Sequence, residues 1–269
     1  MIIEVLISTM GRKDPKEVML KGKNMGGNIL IINQAENKIQ QFNDNGIIML
    51  SYQEKGLSKS RNKAIENSIG DICLFADDDI VYKKDILKKI EKAFINNPEF
   101  DVITFKFENS KKNYEEKPFM HNYKTISTVS SIEIAFRRQS IINNKIRFDE
   151  LFGLGAKYIS GEENIFLKDC LDKKLKILFF PLTIAIHPER ITTGKKWTKE
   201  LLLAKGALFY RIYGKLSFLI NLFFCIKKYN EYKINLNFFD SLFCIYKGTF
   251  DYLQTTKNSS IKNRKNYFF

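Results

Sequence analysis

Residues 56–82, GLSKSRNKAIENSIGDICLFADDDIVY, carry a helix signal followed at once by a strand signal. Ser58 can cap a helix with a one-sided apolar stripe, and Gly70 can end that helix. The apolar run at 71–76 is typical of a strand covered on both faces of a sheet. Three consecutive acids, Asp77–Asp79, follow that run. The order predicts one unit of an α/β sheet with an acid cluster at a strand end.

The flanking sequence repeats this alternation. Further strands are predicted at 2–8, 28–33 and 46–51, and further helices at 15–21 and 83–97. Four strands separated by helices indicate an α/β fold with a mainly parallel, Rossmann-like sheet flanked by helices. From 101 to 188 strands and loops mix, with strands expected at 101–107, 131–138 and 175–187 and a loop that turns into a helix at 148–171. We therefore expect a catalytic domain at 1–192, divided into halves 1–100 and 101–192, and a mostly helical C-terminal extension at 193–269.

The charge of the chain is unevenly distributed. The formal net charge is +14, and the segment from Lys195 onward holds 14 Lys and Arg against 4 Asp and Glu. A basic, aromatic tail behind a nearly balanced body favours an anionic lipid or a nucleic acid as its partner. Its long apolar runs are also compatible with core helices that pack on the catalytic domain. Both alternatives stay open at this point.

Compartment signals favour the cytoplasm. The chain starts with MIIEVLIS, which reads as a strand rather than a secretory signal. Four widely spaced cysteines in mostly apolar surroundings indicate buried free thiols in a reducing compartment. The longest apolar run, 216–226, is about half of the roughly 18 to 20 residues that a spanning helix needs. We expect a cytoplasmic protein without a transmembrane helix, with peripheral contact to the inner face of the membrane as an option.

The acid cluster is a candidate metal site. Strands of an open α/β sheet bind ligands at their carboxyl ends, and Asp77–Asp79 stand at such an end. Mg²⁺ or Mn²⁺ takes carboxylate oxygens there and shares its shell with substrate phosphates. The alternative is that one aspartate caps the next helix while the others face solvent. Three basic residues follow neighbouring strands, namely Arg12, Lys59 and Arg61. Basic side chains that lie opposite a metal-binding acid cluster can bind a diphosphate together with the metal.

A second cluster, GLGAKYISGEEN at 153–164, combines glycines with Glu162 and Glu163. Acids are common in first helical turns because they favour the helix dipole, so the pair alone does not indicate catalysis. The functional interpretation is that one glutamate acts as a general base. His187 ends an apolar strand, where a histidine is more often structural than a ligand, but it can complete a metal shell if it reaches the same crevice.

Together, residues 56–82 and the segment FDELFGLGAKYISGEENIFL (148–167) resemble glycosyltransferase family 2, whose members have the GT-A fold. The resemblance covers about residues 1 to 190 and implies inverting transfer from a nucleotide-sugar donor with a divalent metal on the diphosphate.

The resemblance also implies roles for individual residues, which we carry over position by position. Asp77, Asp78 and Asp79 take the place of the DXD motif, with Asp79 as the expected direct metal ligand beside Asp77 and His187. Thr9, Arg12, Lys59 and Arg61 are expected to contact the donor. Glu163 takes the place of the catalytic base, and Glu162 that of its orienting neighbour.

Two positions depart from the pattern of the family. Asn33 and Gln34 stand where many members begin an Asp-Asp-Gly-Ser stretch, whose first acid contacts the nucleobase. An amide can still bond a base edge, so both are expected to bind the donor, although the case for a UDP-sugar is weaker. The presumed catalytic pair reads Glu-Glu rather than Glu-Asp, which lengthens the base by one methylene.

The mechanism that follows is one displacement in which Glu163 deprotonates an acceptor hydroxyl. The acceptor is expected to be a saccharide or a lipid-linked saccharide in bacterial surface polysaccharide or glycolipid assembly. Two other functions compete. A sugar nucleotidyltransferase of similar fold would need a GxGxR-type N-terminal loop, which STMGRKD (8–14) matches poorly. A nucleic-acid-binding protein would need a reading module, and the sequence has no such motif, so we expect no nucleic acid as a partner.

Overall fold

Ten strands form one sheet in the part of the chain that the computed structural model describes, which is residues 1–21, 27–35, 41–108, 112–186 and 197–265. The strands are β1 (Ile3–Met10), β2 (Asn28–Gln34), β3 (Gln41–Asp44), β4 (Ile47–Tyr52), β5 (Ile72–Asp77), β6 (Val81–Tyr82), β7 (Val102–Glu108), β8 (Phe119–Met120), β9 (Ile134–Arg137) and β10 (Ile177–Ile186). The helices are α1 (Pro15–Lys21), α2 (Leu57–Asn67), α3 (Ile86–Asn96), α4 (Arg138–Asn143), α5 (Glu162–Asp172), α6 (Lys199–Tyr213), α7 (Ser217–Tyr232) and α8 (Phe238–Lys265).

The predicted parallel α/β sheet is confirmed. Neighbouring strands follow the order β3-β4-β2-β1-β5-β9-β7-β10-β6, and β8 pairs with β10. The central strands β4, β2, β1 and β5 are mutually parallel. β9 runs antiparallel between β5 and β7, which makes the sheet mixed.

Both faces of the central strands are covered, as their unbroken apolar runs require. On one face Val5 and Ile7 of β1 pack into a core with Ile90 and Phe94 of α3. On the other face Leu6 joins a second core to which α2 and α5 contribute. Side chains alternate along a strand, so neighbouring residues of β1 serve opposite cores.

Several short elements differ from the expectations. The strand predicted at 131–138 is reduced to β9, because a 3₁₀ turn occupies Ser131–Glu133 and α4 begins at Arg138. Ser130 and Glu133 form a capping box, which favours the turn over an extended chain. The edge strands β3, β6 and β8 have only two to four residues, too few for a recognisable alternation.

The C-terminal extension is helical, as predicted, and α6 packs on the α/β part of the chain. Leu208 and Ala204 of α6 join a small apolar core with Phe152 and Tyr158. Arg211 bonds Asp149 and Asp169 at 3.1 and 2.7 Å. α6 therefore belongs to the packed body of the protein.

Two glycines bring α6 and α8 unusually close. A methyl group on Gly206 would lie 1.8 Å from the carbonyl oxygen of Ile245, and one on Gly248 would lie 1.9 Å from that of Leu203. Side chains are excluded from both positions, so the crossing depends on glycine.

The expectation that no segment approaches the length of a spanning helix was wrong. Among the described residues, the stretch Lys199–Tyr232 is long and apolar enough to cross a membrane by length and composition, and 17% of its apolar window is buried. The run considered in the sequence, 216–226, is only part of this stretch. Gly214, at φ 57° and ψ −134°, breaks it into α6 and α7.

All four cysteines (Cys73, Cys170, Cys225 and Cys244) are buried free thiols, as expected.

Candidate active site

The carboxyl ends of the central strands bring the predicted donor residues to one edge of the sheet. Thr9 at the end of β1 stands beside Asn33 at the end of β2. On the other side of β1, Ser8 stands beside Asp77, the last residue of β5. This edge is where open α/β sheets bind their ligands.

Asp78 is held by the loop that follows β1. Its Oδ2 accepts hydrogen bonds from Thr9 Oγ1 at 2.8 Å and from Arg12 Nη2 at 2.7 Å. Arg12 Nε also donates to Thr9 Oγ1 at 3.3 Å. Three residues predicted to bind the donor therefore form one network.

Asn33 and Gln34 are buried and bond to backbone groups of neighbouring loops. Asn33 Oδ1 accepts from the Arg12 amide at 3.0 Å, and Asn33 Nδ2 donates to the Arg12 carbonyl at 2.8 Å. Gln34 Nε2 donates to the Gly56 carbonyl at 2.7 Å. Both amides thus fix the loops at the strand ends. Their contact with a nucleobase stays a prediction.

Arg61 of α2 links the two acid clusters. Its side chain is 4% exposed. Nη1 donates to Glu162 Oε1 at 2.9 Å, Nη2 donates to Ser131 Oγ at 2.8 Å, and Nη2 lies 3.7 Å from Asp77 Oδ1. A buried guanidinium is stable only when it is paired, and here both clusters supply the pairing. The role of Ser131 had no signal in the sequence.

Small residues allow the GLGAKYISGEEN loop to approach α2. Ser58 Oγ donates to the Phe152 carbonyl at 2.6 Å, so it serves this loop and does not cap α2. Gly153 has φ 103°, and a methyl group there would lie 3.3 Å from the Glu162 carboxyl carbon. The glycine therefore leaves room for the Glu162 carboxylate beside Arg61.

Glu163 lies in a different electrostatic environment from Glu162. Burial and, after it, the negative charge of Glu162 raise the pKa of Glu163, the positive charges of Arg61 and Lys205 partly offset them, and the resulting pKa is about 8. Lys205 itself is largely buried, which lowers its pKa. The adjacent glutamates thus differ, since Glu162 is ion-paired while Glu163 holds a proton near neutral pH.

Lys205 reaches this region from the C-terminal extension. The same helix presents Leu208, which would lie 2.8 Å from a methyl group on Gly161. The sequence analysis assigned Lys205 no role. Its one signal was a single lysine inside the otherwise apolar run LLLAKGALF (201–209).

The acid cluster offers two carboxylates for a metal ion. Asp78 is engaged by Thr9 and Arg12, whereas the Asp77 side chain is 40% exposed and Asp79 is half-buried. The described residues contain no group of three or more His, Cys, Asp or Glu side chains that could hold an ion. Mg²⁺ usually binds through one or two carboxylates plus substrate phosphates, which Asp77 and Asp79 fit.

Two predicted residues stand apart from these networks. His187 lies outside the described residues, so its role as a metal ligand stays a prediction. Lys59 is half-buried and forms no ion pair within the described part of the chain, so its contact with the donor also stays a prediction.

Residues 31–161 match the model of the family described as glycosyl transferase family 2. Among solved structures, S. aureus TarS 1–349 in complex with UDP-GlcNAc is 16% identical with a TM-score of 0.56, over 87% of this chain and 74% of that chain. S. aureus TarS 1–349 alone is 13% identical with a TM-score of 0.55, over 95% and 92% of the two chains. The TarS 1–349 complex with UDP is 16% identical with a TM-score of 0.56, over 88% and 76%. At these identities the structures show a shared fold.

No curated protein matches the chain by sequence. The family match favours a glycosyltransferase over a sugar nucleotidyltransferase or a nucleic-acid-binding protein, because the matched segment contains the acid cluster, Arg61 and the GLGAKYISGEEN loop up to Gly161. The matched segment, which is just under half of the chain, and the fold shared with the TarS structures support a glycosyltransferase of family 2 with the GT-A fold.

Proposed function

We propose that the protein is a metal-dependent inverting glycosyltransferase in which Glu163 is the catalytic base. The observation that carries the proposal is the position of Arg61 between the strand-end acid Asp77, at 3.7 Å, and the glutamate pair, with Glu162 at 2.9 Å. This arrangement brings a place for a diphosphate close to a place for an acceptor hydroxyl.

The two glutamates supply different functions. Glu162 forms an ion pair with Arg61, so it orients the site and places a negative charge beside Glu163. A carboxyl with a pKa of about 8 is a strong enough base to take the proton of an acceptor hydroxyl as its oxygen attacks the anomeric carbon. One displacement from the face opposite the diphosphate inverts that carbon, so no covalent sugar–enzyme intermediate is required.

The donor side relies on cations. Asp77 and Asp79 would hold the divalent metal ion, Mg²⁺ or Mn²⁺, which neutralises the charge that develops on the departing diphosphate. Arg12 lies on the same edge of the sheet, where its guanidinium bonds Asp78. Arg61 faces the same acids from α2, so both arginines are available to stabilise the leaving group.

A UDP-sugar is the proposed donor. Support comes from the TarS complexes with UDP-GlcNAc and with UDP, whose fold this chain shares. The proposed acceptor is a saccharide or a lipid-linked saccharide, in bacterial surface polysaccharide or glycolipid assembly. A basic, aromatic extension supports work in the cytoplasm at the inner face of the cell membrane, through peripheral contact.

A panel of nucleotide sugars, assayed for metal-dependent hydrolysis and transfer with and without Mg²⁺ or Mn²⁺, tests the donor and the metal. We expect Asp79→Ala to abolish metal-dependent turnover while its circular dichroism spectrum and thermal midpoint stay those of the wild type. Glu99→Gln, an exposed acid on the surface, is the matched control and should retain full activity. Full activity of Asp79→Ala, or turnover that EDTA leaves unchanged, contradicts the metal assignment.

The roles of the glutamates are tested by two isosteric variants. Glu163→Gln should keep donor binding and lose transfer by about two to four orders of magnitude, the usual contribution of a general base. Glu162→Gln should lose less transfer and bind donor more weakly, because Arg61 loses its closest carboxylate. The opposite ranking of the two variants would reverse the assignment.

A further inference from the structure

The outer side of α7 and α8 is apolar and open to solvent. We call it the α7–α8 face and define it by its exposed large side chains, which are Leu219, Leu222, Phe223, Ile226, Phe239, Phe243 and Phe250. Phe223, Phe243 and Phe239 are exposed by 66%, 68% and 79%. A soluble monomer rarely shows so many large apolar side chains together, and such surfaces mark sites of interaction.

The two helices present these side chains along one seam. The Phe218 and Phe250 rings lie 5.4 Å apart, and the Tyr229 and Phe238 rings lie 6.2 Å apart, so α7 and α8 run antiparallel. In this register Ile226 of α7 lies about level with Phe243 of α8, and Leu219 lies about level with Phe250. The exposed residues on each helix recur at helical spacing, so they form one face rather than scattered contacts.

Polar contacts hold the opposite sides of both helices inward. Asn221 Nδ2 donates to Thr249 Oγ1 at 2.8 Å, and both residues are fully buried. Thr249 Oγ1 in turn donates to the Gly206 carbonyl of α6 at 2.9 Å. A rotation that buried the apolar face within the monomer would break these buried hydrogen bonds, which is costly.

The segment that forms the α7–α8 face is rich in lysine. Six lysines and three acids (Glu231, Asp240 and Asp251) lie between residues 215 and 257. The lysines are Lys215, Lys227, Lys228, Lys233, Lys247 and Lys257. Two of the acids are neutralised within the fold, since Glu231 pairs with Lys228 and Asp251 pairs with Lys157. The excess of positive charge complements anionic lipid headgroups. Lysine side chains can reach the headgroups while the apolar side chains of the α7–α8 face enter the acyl region of the bilayer.

The dimensions of α7 favour lying in the membrane surface over crossing it. Its 16 residues span about 24 Å, which is less than the ~30 Å of a bilayer core. The continuation into α6 that would lengthen it is broken at Gly214, and α6 is committed to the protein core through Leu208 and Ala207. An amphipathic helix pair with a lysine rim is the form that interfacial helices take.

We propose that the α7–α8 face docks the protein on an anionic lipid bilayer, with the helix pair lying in the plane of the interface. A second copy of the chain is a less suitable occupant, because protein interfaces are depleted in lysine. Lipid binding needs no sugar transfer, so this proposal and the proposed function can fail separately.

Vesicle sedimentation of the full chain tests the proposal. We expect binding to phosphatidylcholine vesicles that contain phosphatidylglycerol, and much weaker binding to pure phosphatidylcholine vesicles or in high salt. The double variant Phe223→Glu/Phe243→Glu should bind at least tenfold more weakly. Lys227→Gln/Lys233→Gln should lose affinity for the anionic vesicles only, by about fivefold per lysine.

The matched control is Ile69→Glu/Ile95→Glu, which places two acids on exposed apolar positions of the catalytic part. Its vesicle binding should equal that of the wild type, and all variants should retain donor hydrolysis in lipid-free solution. Unchanged vesicle binding by Phe223→Glu/Phe243→Glu overturns the proposal. The proposal is also overturned if the wild type binds no vesicles, forms a dimer in sedimentation velocity and becomes a monomer in this double variant. That result would assign the face to a second copy of the chain.

Discussion

The charge state of Glu163 makes the strongest test of the proposed chemistry. The structure gives its carboxyl a pKa of about 8 in the free enzyme, because burial and the adjacent charge of Glu162 disfavour ionisation. A base must be ionised before it can accept a proton. The ratio kcat/KM reports the free enzyme, so it should rise with pH through this pKa.

The size of the rise follows from the pKa. At pH 7 about a tenth of Glu163 is ionised, and at pH 9 about nine tenths is ionised. We therefore expect kcat/KM to increase about tenfold between pH 7 and pH 9. An ordinary exposed glutamate, with a pKa near ~4.3, would give a flat profile over the same range.

Lys205 provides the perturbation. Its positive charge lowers the pKa of Glu163, as does that of Arg61, so Lys205→Met should move the midpoint of the profile to higher pH. Lys205→Arg keeps the charge and should restore the wild-type midpoint. A structural role for Lys205 alone would change kcat or stability and leave the midpoint where it was.

The assay is the initial rate of transfer with donor and acceptor both below their KM values, from pH 5.5 to pH 10, with the metal concentration fixed. Thermal midpoints measured at each pH serve as the control for unfolding. A wild-type midpoint near 4.5, or the same midpoint in Lys205→Met and Lys205→Arg, would refute the electrostatic account of the base.

Three further predictions concern stability. Glu163→Gln should raise Tm relative to the wild type, and the increase should be larger at pH 9 than at pH 5. The folded wild type has a raised Glu163 pKa, so it loses stability as the pH rises from the pKa of the unfolded chain to about 8, and glutamine removes this loss. Arg61→Met should lower the free energy of unfolding by about 3 to 5 kcal/mol in urea, because it leaves Glu162 buried without its ion pair. Gly206→Ala should lower Tm by far more than Lys247→Ala, since a methyl group there would lie 1.8 Å from a carbonyl oxygen of α8.

The sheet was predictable because burial on both faces leaves a clear mark on a sequence. The runs at 2–8 and 71–76 consist almost wholly of apolar residues, and both are central strands. Helix α1 begins at Pro15 and ends at Lys21, as predicted, since proline favours a first helical turn. The two-residue strands β6 and β8 carry no period long enough to recognise.

The partners within the site were far less predictable. Arg61 and Glu162 are 101 residues apart in the chain, and nothing in either local pattern names the other. The family resemblance predicted that both residues lie in one site. Only the structure shows that Arg61 bonds Glu162 and does not contact Asp77 alone. Lys205 was missed for the same reason, because its significance depends on how α6 packs.

The two alternatives for the extension turn out to apply to different helices. α6 is a core helix, as Leu202 and Ala204 are fully buried, whereas α7 buries few of its residues and leaves Phe223 and Ile226 in solvent. Both helices are rich in apolar residues, so hydropathy along the chain cannot separate them. The difference arises from packing, because α8 and the α/β part of the chain cover α6 but leave one side of α7 open.

The extension therefore joins the proposed membrane face to the glutamates proposed for catalysis through buried contacts. α6 presents Lys205 and Leu208 toward the start of α5, where Glu163 lies, and its Gly206 lets α8 approach closely. α8 in turn carries half of the α7–α8 face. Because these contacts are buried and tightly packed, a protein docked through that face would hold its base at a fixed height and orientation above the bilayer. An acceptor sugar on a lipid would then be limited to the reach of its own linker, so under both proposals the extension would take part in acceptor selection, which a freely tethered anchor would not.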